Sequence, residues 1–526
     1  MQKKVLVTEK LASEGIEKLE AAGFEVDVKL KMPSEQLVAE IPEYAGLIVR
    51  SATHVTSEVI KAAKNLQVIG RAGVGTENID VAAATEAGIT VCNAPTSNII
   101  SAAEYTMAVI LNCARNITAA NNSVHAGVWS RAAFCGVELY DKTLAIVGLG
   151  RIGGLVAQRA RAFGMRLVGY DPYCSQERAE QLGVALYDNL EELLPEADFI
   201  TVHVPKTQQT TNMFDANEFA AMKEGVVLVN CARGGIYNTK SLANFIAAGK
   251  VRAVGFDAFD DEPCTTSPLH EFKNATLTPH LAAYTYEAQK RTGIQIAQYV
   301  CTALNGGIVP TALNMSTVPP DVVDALGPYV PACQMMGSML AQILQQTPKR
   351  LSIVCAGGAA PANSSVILAG ILQGLFPYHN TSRISSANSK AFAHRHGIKV
   401  DSGIRTSAGA YASSVSVEAD GLEIACTLSG DAQQVRLISF LGYKVDIEPA
   451  AHALVFEYVD TPGKIGIIGS ILGDAGVNIS TMQIRDNPNT KMALVYMNVD
   501  GNVTQEVLDA LKQNVGDLKN LWNVAL

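Results

Sequence analysis

Arg233, Glu262 and His280 are the side chains of this sequence whose types and spacing suit removal of hydrogen from a hydroxyl-bearing carbon. Arg233 offers a planar fork for a carboxylate and a cation for a developing carbonyl oxygen. His280 has the chemistry of a general base for the hydroxyl proton, and Glu262 that of a carboxylate which fixes the ring tautomer and favours the imidazolium. The hydride needs an acceptor, and a dinucleotide loop precedes all three residues. Gly148, Gly150 and Gly153 keep GxGxxG spacing directly after the apolar run from Leu144 to Val147. The first glycine permits a tight turn, the second lets backbone approach a pyrophosphate, and the third allows close packing of helix on strand. The phosphates would then lie on that helix's N-terminus. Eighteen residues past Gly153, Asp171 closes the next strand-like run. A carboxylate there binds both ribose hydroxyls and repels a 2′-phosphate, so NAD is expected over NADP.

The elements that must position these groups form two alternating series. Apolar strand-like runs at 5–8, 47–50, 66–70 and 89–92 alternate with helical segments, and a second series runs from 144 to about 279, with strands expected at 166–170, 199–203, 226–230 and 253–256. Alternation of this kind predicts βαβ units and parallel sheets, hence two α/β lobes. Residues 99 to about 124 carry few breakers and read as one connecting helix; the stretch 129–138 that follows, with Trp129 and Arg131, reads as an aromatic and charged arm suited to a neighbouring subunit. The helix expected at 285–304 would return to the first lobe. In an open α/β sheet the crevice lies at the carboxyl ends of the strands. Val204, Cys231, Ala232, Arg233, Asp257, Glu262, His280 and Ala283 all fall just past such ends. One of them alone would more often be structural; their joint arrival beside the glycine loop favours a site. Residues 308–330 are rich in Pro and Val, and 331–450 hold no catalytic motif. From 452 onward the pattern is βαββαβ, the order of a ferredoxin-like unit.

Composition narrows the function. At 526 residues, with 48% hydrophobic and 17% charged residues, the chain suits a globular protein of three or four domains. A net charge of −9 argues against a nucleic-acid surface. There is no run of 18 apolar residues, so no membrane span is expected. The opening residues pass straight into a strand pattern, leaving no room for a leader, and a cytoplasmic location is the expectation. Ten cysteines without a CxxC pair read as reduced thiols. His394 and His396 lack an accompanying Cys or carboxylate cluster, and no metal is expected.

At these residues the sequence closely resembles the D-isomer-specific 2-hydroxyacid dehydrogenases, and among them the members that oxidise 3-phospho-D-glycerate. The stretches that carry the resemblance are 49–53, 71–75, 93–104 and 148–153, with Cys231 to Gly235, Glu262-Pro263 and Pro279-His280-Leu281. The resemblance implies a Rossmann-type doubly wound NAD domain at 99–283 and a flavodoxin-like substrate domain at 1–98 plus 284–306. It implies catalysis by Arg233, Glu262 and His280, and NAD contacts at Gly148, Gly150, Arg151, Ile152, Gly153, Asp171, Val204, Cys231, Ala232, Asp257 and Ala283. Substrate contacts are implied at Arg50, Arg71, Gly73, Asn98 and Arg131. Residues 307–450, chiefly through 386–397, are similar to an α+β intervening domain of the long members. Residues 451–526 resemble an ACT regulatory domain, with L-serine expected at Tyr458, Asp460 and Asn478. A homodimer or homotetramer is implied, and the reaction would be the first step of phosphorylated serine synthesis, with serine feedback. Three departures stand out: Ala132 and Ala133 where the family carries basic residues, Ala282 and Tyr284 after the histidine, and Tyr237-Asn238 after the Arg-Gly-Gly. Two other readings stay open, a reductase of hydroxypyruvate, glyoxylate or another 2-oxo acid, and a dinucleotide-sensing scaffold. The C-terminal unit could also be a purely structural dimerisation module.

Overall fold

In the computed structural model, which describes residues 2–315, 326–359, 364–376, 384–431, 433–487 and 491–526, the strand Thr143–Val147 is buried along its whole length. Successive side chains of a strand point to opposite faces, so a strand covered on both sides is apolar on both, as Leu144 to Val147 are, while buried Thr143 at its start accepts from Arg166 at 3.1 Å. Leu144 and Ile146 enter one core with Met107, Ile110 and Val156; Ala145 and Val147 enter another with Ile200, Leu228 and Phe256. Each of the larger of these side chains, Leu, Ile, Val, Met or Phe, stabilises the fold by about 1.5–3 kcal/mol when buried. This strand is central to a seven-stranded parallel sheet. Its order is Ala275–Leu277, Val251–Phe256, Val226–Asn230, Phe199–Val202, Thr143–Val147, Arg166–Tyr170, Ala185–Leu186. The chain runs outward from Thr143–Val147 in both directions, which places the switch point of a doubly wound sheet at the glycine loop. The sheet lies in a compact unit of residues Pro95–Gln295.

One expectation fails here. Residues 99–124 do not form a single helix: Ile99–Arg115 stops at Asn116, whose φ of 56° is left-handed, and Ile117–His125 begins anew. Asparagine tolerates that conformation. The break is also fixed by Asn112, whose Oδ1 accepts from the Thr118 amide at 2.8 Å and the Thr118 hydroxyl at 3.0 Å.

The second unit comprises Met1–Ala94 and Ile296–Leu526. Its first sheet is parallel and five-stranded, in the order Glu25–Val28, Lys4–Val7, Gly46–Val49, Val68–Arg71, Thr90–Asn93. Ile296, Val300 and Leu304, from the helix Tyr286–Leu304, join the core of this sheet, and Gly70 gives them room because a Cβ there would stand 2.8 Å from a Val300 methyl. The expected return of that helix to the first series is therefore seen in its last three turns. A six-stranded mixed sheet follows, covered by the helices Tyr329–Leu344 and Ser364–Leu375, which cross closely at Gly337, Gly370 and Gly374. Part of the Pro- and Val-rich stretch 308–330 lies outside the described residues.

The last sheet is antiparallel, in the order Ile479–Asn487, Met492–Val499, His452–Val459, Leu518–Ala525, with the helices Lys464–Asp474 and Gln505–Asn514 on one face. This is the βαββαβ arrangement expected. Leu454, Phe456 and Tyr458 face the helices, while Ala453 and Val455 face the core shared with Phe440. Among the described residues no helix is long and apolar enough to cross a membrane.

Candidate active site

The glycine loop has the form its spacing requires. Gly148 is left-handed at φ 95°, and a Cβ on it would stand 2.8 Å from the His203 carbonyl oxygen and 3.0 Å from a Val204 methyl. A Cβ on Gly153 would overlap the Gly148 carbonyl, so the helix Arg151–Ala162 lies against the loop only because Gly153 has none. Gly150, by contrast, faces open space within 4 Å, and no side chain caps this helix. Its first amides are thus presented to an anion, which is the donor set a pyrophosphate needs. Arg151 is exposed and Ile152 half-buried in its first turn. Asp171 accepts from the Leu149 amide at 2.8 Å and the Tyr173 amide at 2.9 Å, tying the end of the strand Arg166–Tyr170 to the loop. These features fit a dinucleotide.

Past the next strand ends, a chain of buried polar contacts holds the reactive side chains. Asn230 closes the apolar strand Val226–Asn230; its amide donates to the Arg233 carbonyl at 2.8 Å and its Oδ1 accepts from the Ala232 amide at 3.1 Å. The turn through Cys231 and Ala232 is fixed by this contact, and half-buried Arg233 donates back to the Ala232 carbonyl at 2.8 Å. Gly234 brings that turn against the Phe259 carbonyl, where a Cβ would overlap. The Asn230 carbonyl also accepts from the amide of Asp257 at 2.9 Å. Asp257 is only 1% exposed, and its carboxylate accepts from the Thr278 hydroxyl at 2.7 Å and from the Leu281 and Ala282 amides at 2.8 Å each. A buried carboxylate needs such partners, and here they belong to the segment that carries His280. His280 itself is left-handed at φ 54°, a strained conformation for a residue with a Cβ, and half-buried Ala283 follows.

His280 Nδ1 lies 2.8 and 3.0 Å from the two carboxylate oxygens of Glu262, and Glu262 Oε1 also accepts from the Phe259 amide at 3.0 Å. The Glu262 bond, opposed by burial and helped by the same carboxylate's charge, raises the His280 pKa above its ordinary 6.5. Burial opposes ionisation of Glu262, but the bonds from His280 and the Phe259 amide, with the charges of His280 and Arg233, hold its carboxyl below the usual range. With Nδ1 committed to Glu262, Nε2 is the ring nitrogen left to exchange a proton.

The other expected residues fall in several places. Arg50, Arg71 and Gly73 lie in the unit containing the five-stranded sheet. The loop after Val49 is pinned by Glu9, which accepts from the amides of Arg50 at 2.8 Å, Ala52 at 3.2 Å and Thr53 at 2.9 Å. Asn78 donates to the carbonyls of Arg50 and Thr53 at 2.7 and 2.6 Å. The Arg71 guanidinium folds over Gly73 and donates to the Ala72 carbonyl at 3.4 Å. In the nucleotide unit, Asn98 begins the helix Ile99–Arg115 with a buried Oδ1 that has no hydrogen-bond partner among the described residues, and Arg131 is exposed beside the 3-10 turn Ala132–Phe134. In the C-terminal unit Tyr458 is 1% exposed in the core between sheet and helices, whereas Asp460 and Asn478 are exposed. The Asn478 amide donates to Asp500 at 2.8 Å. His396 Nδ1 lies 2.9 Å from the Phe392 carbonyl, its ring stacked on Phe392. Among the described residues no three His, Cys, Asp or Glu side chains are grouped to hold a metal.

Asn230, Glu9, Asn78 and Thr278 were not singled out from sequence. The one available signal is at Asn230, a lone polar residue ending an otherwise apolar strand three residues before the arginine.

Two family models match the chain: "D-isomer specific 2-hydroxyacid dehydrogenase, NAD binding domain" over residues 107–282, and "D-3-phosphoglycerate dehydrogenase intervening domain" over 325–440. The D-3-phosphoglycerate dehydrogenase of Methanocaldococcus jannaschii is 38% identical, with 99% of each chain covered. The chain belongs to the D-3-phosphoglycerate dehydrogenase family. The family's Mycobacterium leprae enzyme is 39% identical over 98% of this chain and 99% of its own. The crystal structure of TT0316 protein from Thermus thermophilus matches with a TM-score of 0.55 and 32% identity, covering 59% of this chain and 99% of that one. Within the family, this member places Tyr284 exposed after the histidine, its amide donating to the Leu281 carbonyl at 2.8 Å, and buries Ala282.

Proposed function

We propose that this chain catalyses NAD-dependent oxidation of 3-phospho-D-glycerate to 3-phosphooxypyruvate, the entry to phosphorylated serine synthesis. The observation that carries the reading is the His280–Glu262 pair, held by the Asp257-anchored segment at the same sheet edge as Arg233 and the glycine loop. When bound across that loop, NAD supplies the hydride acceptor. The helix Arg151–Ala162 and the glycines hold its pyrophosphate, and Asp171 its ribose, with Val204, Cys231, Ala232, Asp257 and Ala283 lining the remainder. His280 Nε2 takes the substrate's C2 hydroxyl proton, and Glu262 stabilises the resulting imidazolium. Arg233 binds the substrate carboxylate and polarises the carbonyl oxygen that forms. Arg50, Arg71 and Arg131, with Gly73 and Asn98, are assigned to the phosphorylated substrate.

Steady-state turnover with 3-phospho-D-glycerate against unphosphorylated D-glycerate tests this. A clear preference for the phosphorylated acid is expected, while equal or better use of the unphosphorylated acid favours the 2-oxo acid reductase reading. Exposed Tyr284, with Ala132 and Ala133, is what keeps that second reading in view.

We further infer four domains at 1–98 plus 284–306, 99–283, 307–450 and 451–526, the last an ACT unit whose L-serine contacts are Asp460 and Asn478 against a wall that includes Tyr458. Support comes from its ferredoxin-like topology and from the exposure of both polar side chains. The ten free cysteines suit a reducing compartment, the cytoplasm. The exposed arm, with Trp129 80% accessible, suits a homo-oligomer.

A further inference from the structure

The six-stranded sheet ends in two unlike edges. Along Tyr443–Ile447 the free backbone is occupied: the Asp446 amide donates to Gln483 at 2.9 Å, the Gln483 amide donates back to the Asp446 carbonyl at 2.9 Å, and Arg485 donates to the Lys444 carbonyl at 2.9 Å. Among the described residues the other edge, Lys399–Arg405, pairs on one side only, in parallel with Arg350–Gly357. Residues 402–405 are exposed, Ile404 to 68%. A seven-residue edge without proline is a template for another strand.

We propose that this edge pairs antiparallel with the same edge of a second copy of the chain, about a twofold axis at Gly403. The backbone and the charges together select that register. The Lys399 amide donates inward to the Lys349 carbonyl at 2.8 Å, and alternate residues of a strand turn their amide and carbonyl to opposite sides. Lys399, Asp401, Gly403 and Arg405 are therefore committed inward, and Val400, Ser402 and Ile404 present theirs outward. Only outward residues exchange bonds with a new strand, which leaves two centred registers. An axis at Ser402 sets Lys399 opposite Arg405, two like charges. An axis at Gly403 sets Asp401 opposite Arg405, and symmetry makes that attraction twice. Opposite charges across a strand pair stabilise it and like charges do the reverse. In the Gly403 register Ser402 and Ile404 exchange backbone bonds with each other's copies. Ile404 shares a face with Val400, which packs on the helix-covered core, so the two Ile404 side chains meet diagonally across the axis. Asp401 also accepts from Arg350 at 2.7 Å, one bond that leaves its second oxygen for Arg405 of the other copy.

In this register residues 401–405 of each copy pair, five residues a side, which buries less than the roughly 1,200 Å² of a stable interface. It acts as a second link in an assembly whose first contact is elsewhere, strengthened because tethered copies meet at high effective concentration. The inference is independent of the catalytic reading.

Cysteine cross-linking of the full chain tests both the pairing and its register. Gly403 accepts a side chain, since the nearest atom to a Cβ there is a Val354 methyl at 3.6 Å. At a non-hydrogen-bonded pair on the axis, two such Cβ atoms lie within disulfide reach. Mild oxidation of the Gly403→Cys variant should convert most of it to a disulfide-linked dimer on a non-reducing gel. The parent chain, with its own ten cysteines, and the Ser402→Cys variant, which faces Ile404, should stay single under the same oxidant. Cross-linking of Ser402→Cys but not Gly403→Cys overturns the register, and cross-linking of neither overturns the pairing. Ile404→Lys should lower the mass in sedimentation by half, with the circular dichroism unchanged; an unaltered mass also overturns the proposal.

Discussion

Two regions of the chain carry the residues expected to meet a ligand, and they hold them by different means. Around His280 each reactive side chain rests on another that is itself fixed: Glu262 on the Phe259 amide, the His280 segment on Asp257, Asp257 and Arg233 on Asn230. At the C-terminal unit the three expected residues have unlike surroundings, Tyr458 within the core, Asp460 and Asn478 on the surface, the last bonded to Asp500. A site that performs chemistry needs its groups held within a fraction of an ångström, because misplacement alone costs rate. A site that only senses a ligand can be completed by it, at the cost of weaker binding.

The comparison breaks first at His280. His280→Asn should lower kcat by about 10²- to 10⁴-fold, the usual range for loss of a positioned acid–base group. Stopped-flow NADH formation by a variant with native circular dichroism measures this, and an unchanged rate removes His280 from the chemistry. Asp257→Asn tests the support instead. The amide cannot accept from two backbone amides and a hydroxyl with the same strength, so the His280 segment should shift, and a misplacement of about 1 Å costs around 10²-fold. If kcat/KM stays within a factor of two, the buried carboxylate does not position the histidine.

Glu262→Gln sharpens the same contrast through pH. The Glu262 bond holds the His280 pKa above 6.5, and a base works only when neutral, so kcat/KM for oxidation should rise with pH through a limb lying above 6.5. Without the carboxylate the neutral ring is favoured at lower pH, and the limb should move down toward 6.5 while the maximal rate falls. A limb that stays in place assigns it to another group.

The strand ends around His280 were readable because their signals are local. The glycine spacing, the acidic strand end and the residues just past each strand lie within a few positions of the strands that carry them. Glu9 and Asp257 escaped that reading, or were given another role by it, because their partners lie 41 to 44 and 21 to 25 residues away and become neighbours only in the fold. The strands Glu25–Val28, Ala185–Leu186 and Ala275–Leu277 were missed for a related reason: all three are sheet edges, short or half-polar, so their alternation is faint. Asn116 hid a helix break that a chain rich in helix formers gave no sign of. In the C-terminal unit the strand pattern was plain, but Ala453 to Phe456 are apolar on both faces, and nothing in such a run says which face Tyr458 will take.

That last point sets the smallest effect. L-serine at 100 times its dissociation constant should stabilise the chain by about 2.7 kcal/mol, read as a rise in Tm. Asn478→Ala should abolish the rise if the exposed amide is a contact. Tyr458→Phe removes only a hydroxyl, worth about 1 kcal/mol as a hydrogen bond, from a ring already packed in the core. The serine-dependent rise should therefore survive in Tyr458→Phe at nearly full size. Its loss would mean that the ring leaves the core when serine binds, and the C-terminal site would then be one that ligand binding remodels rather than one it fills.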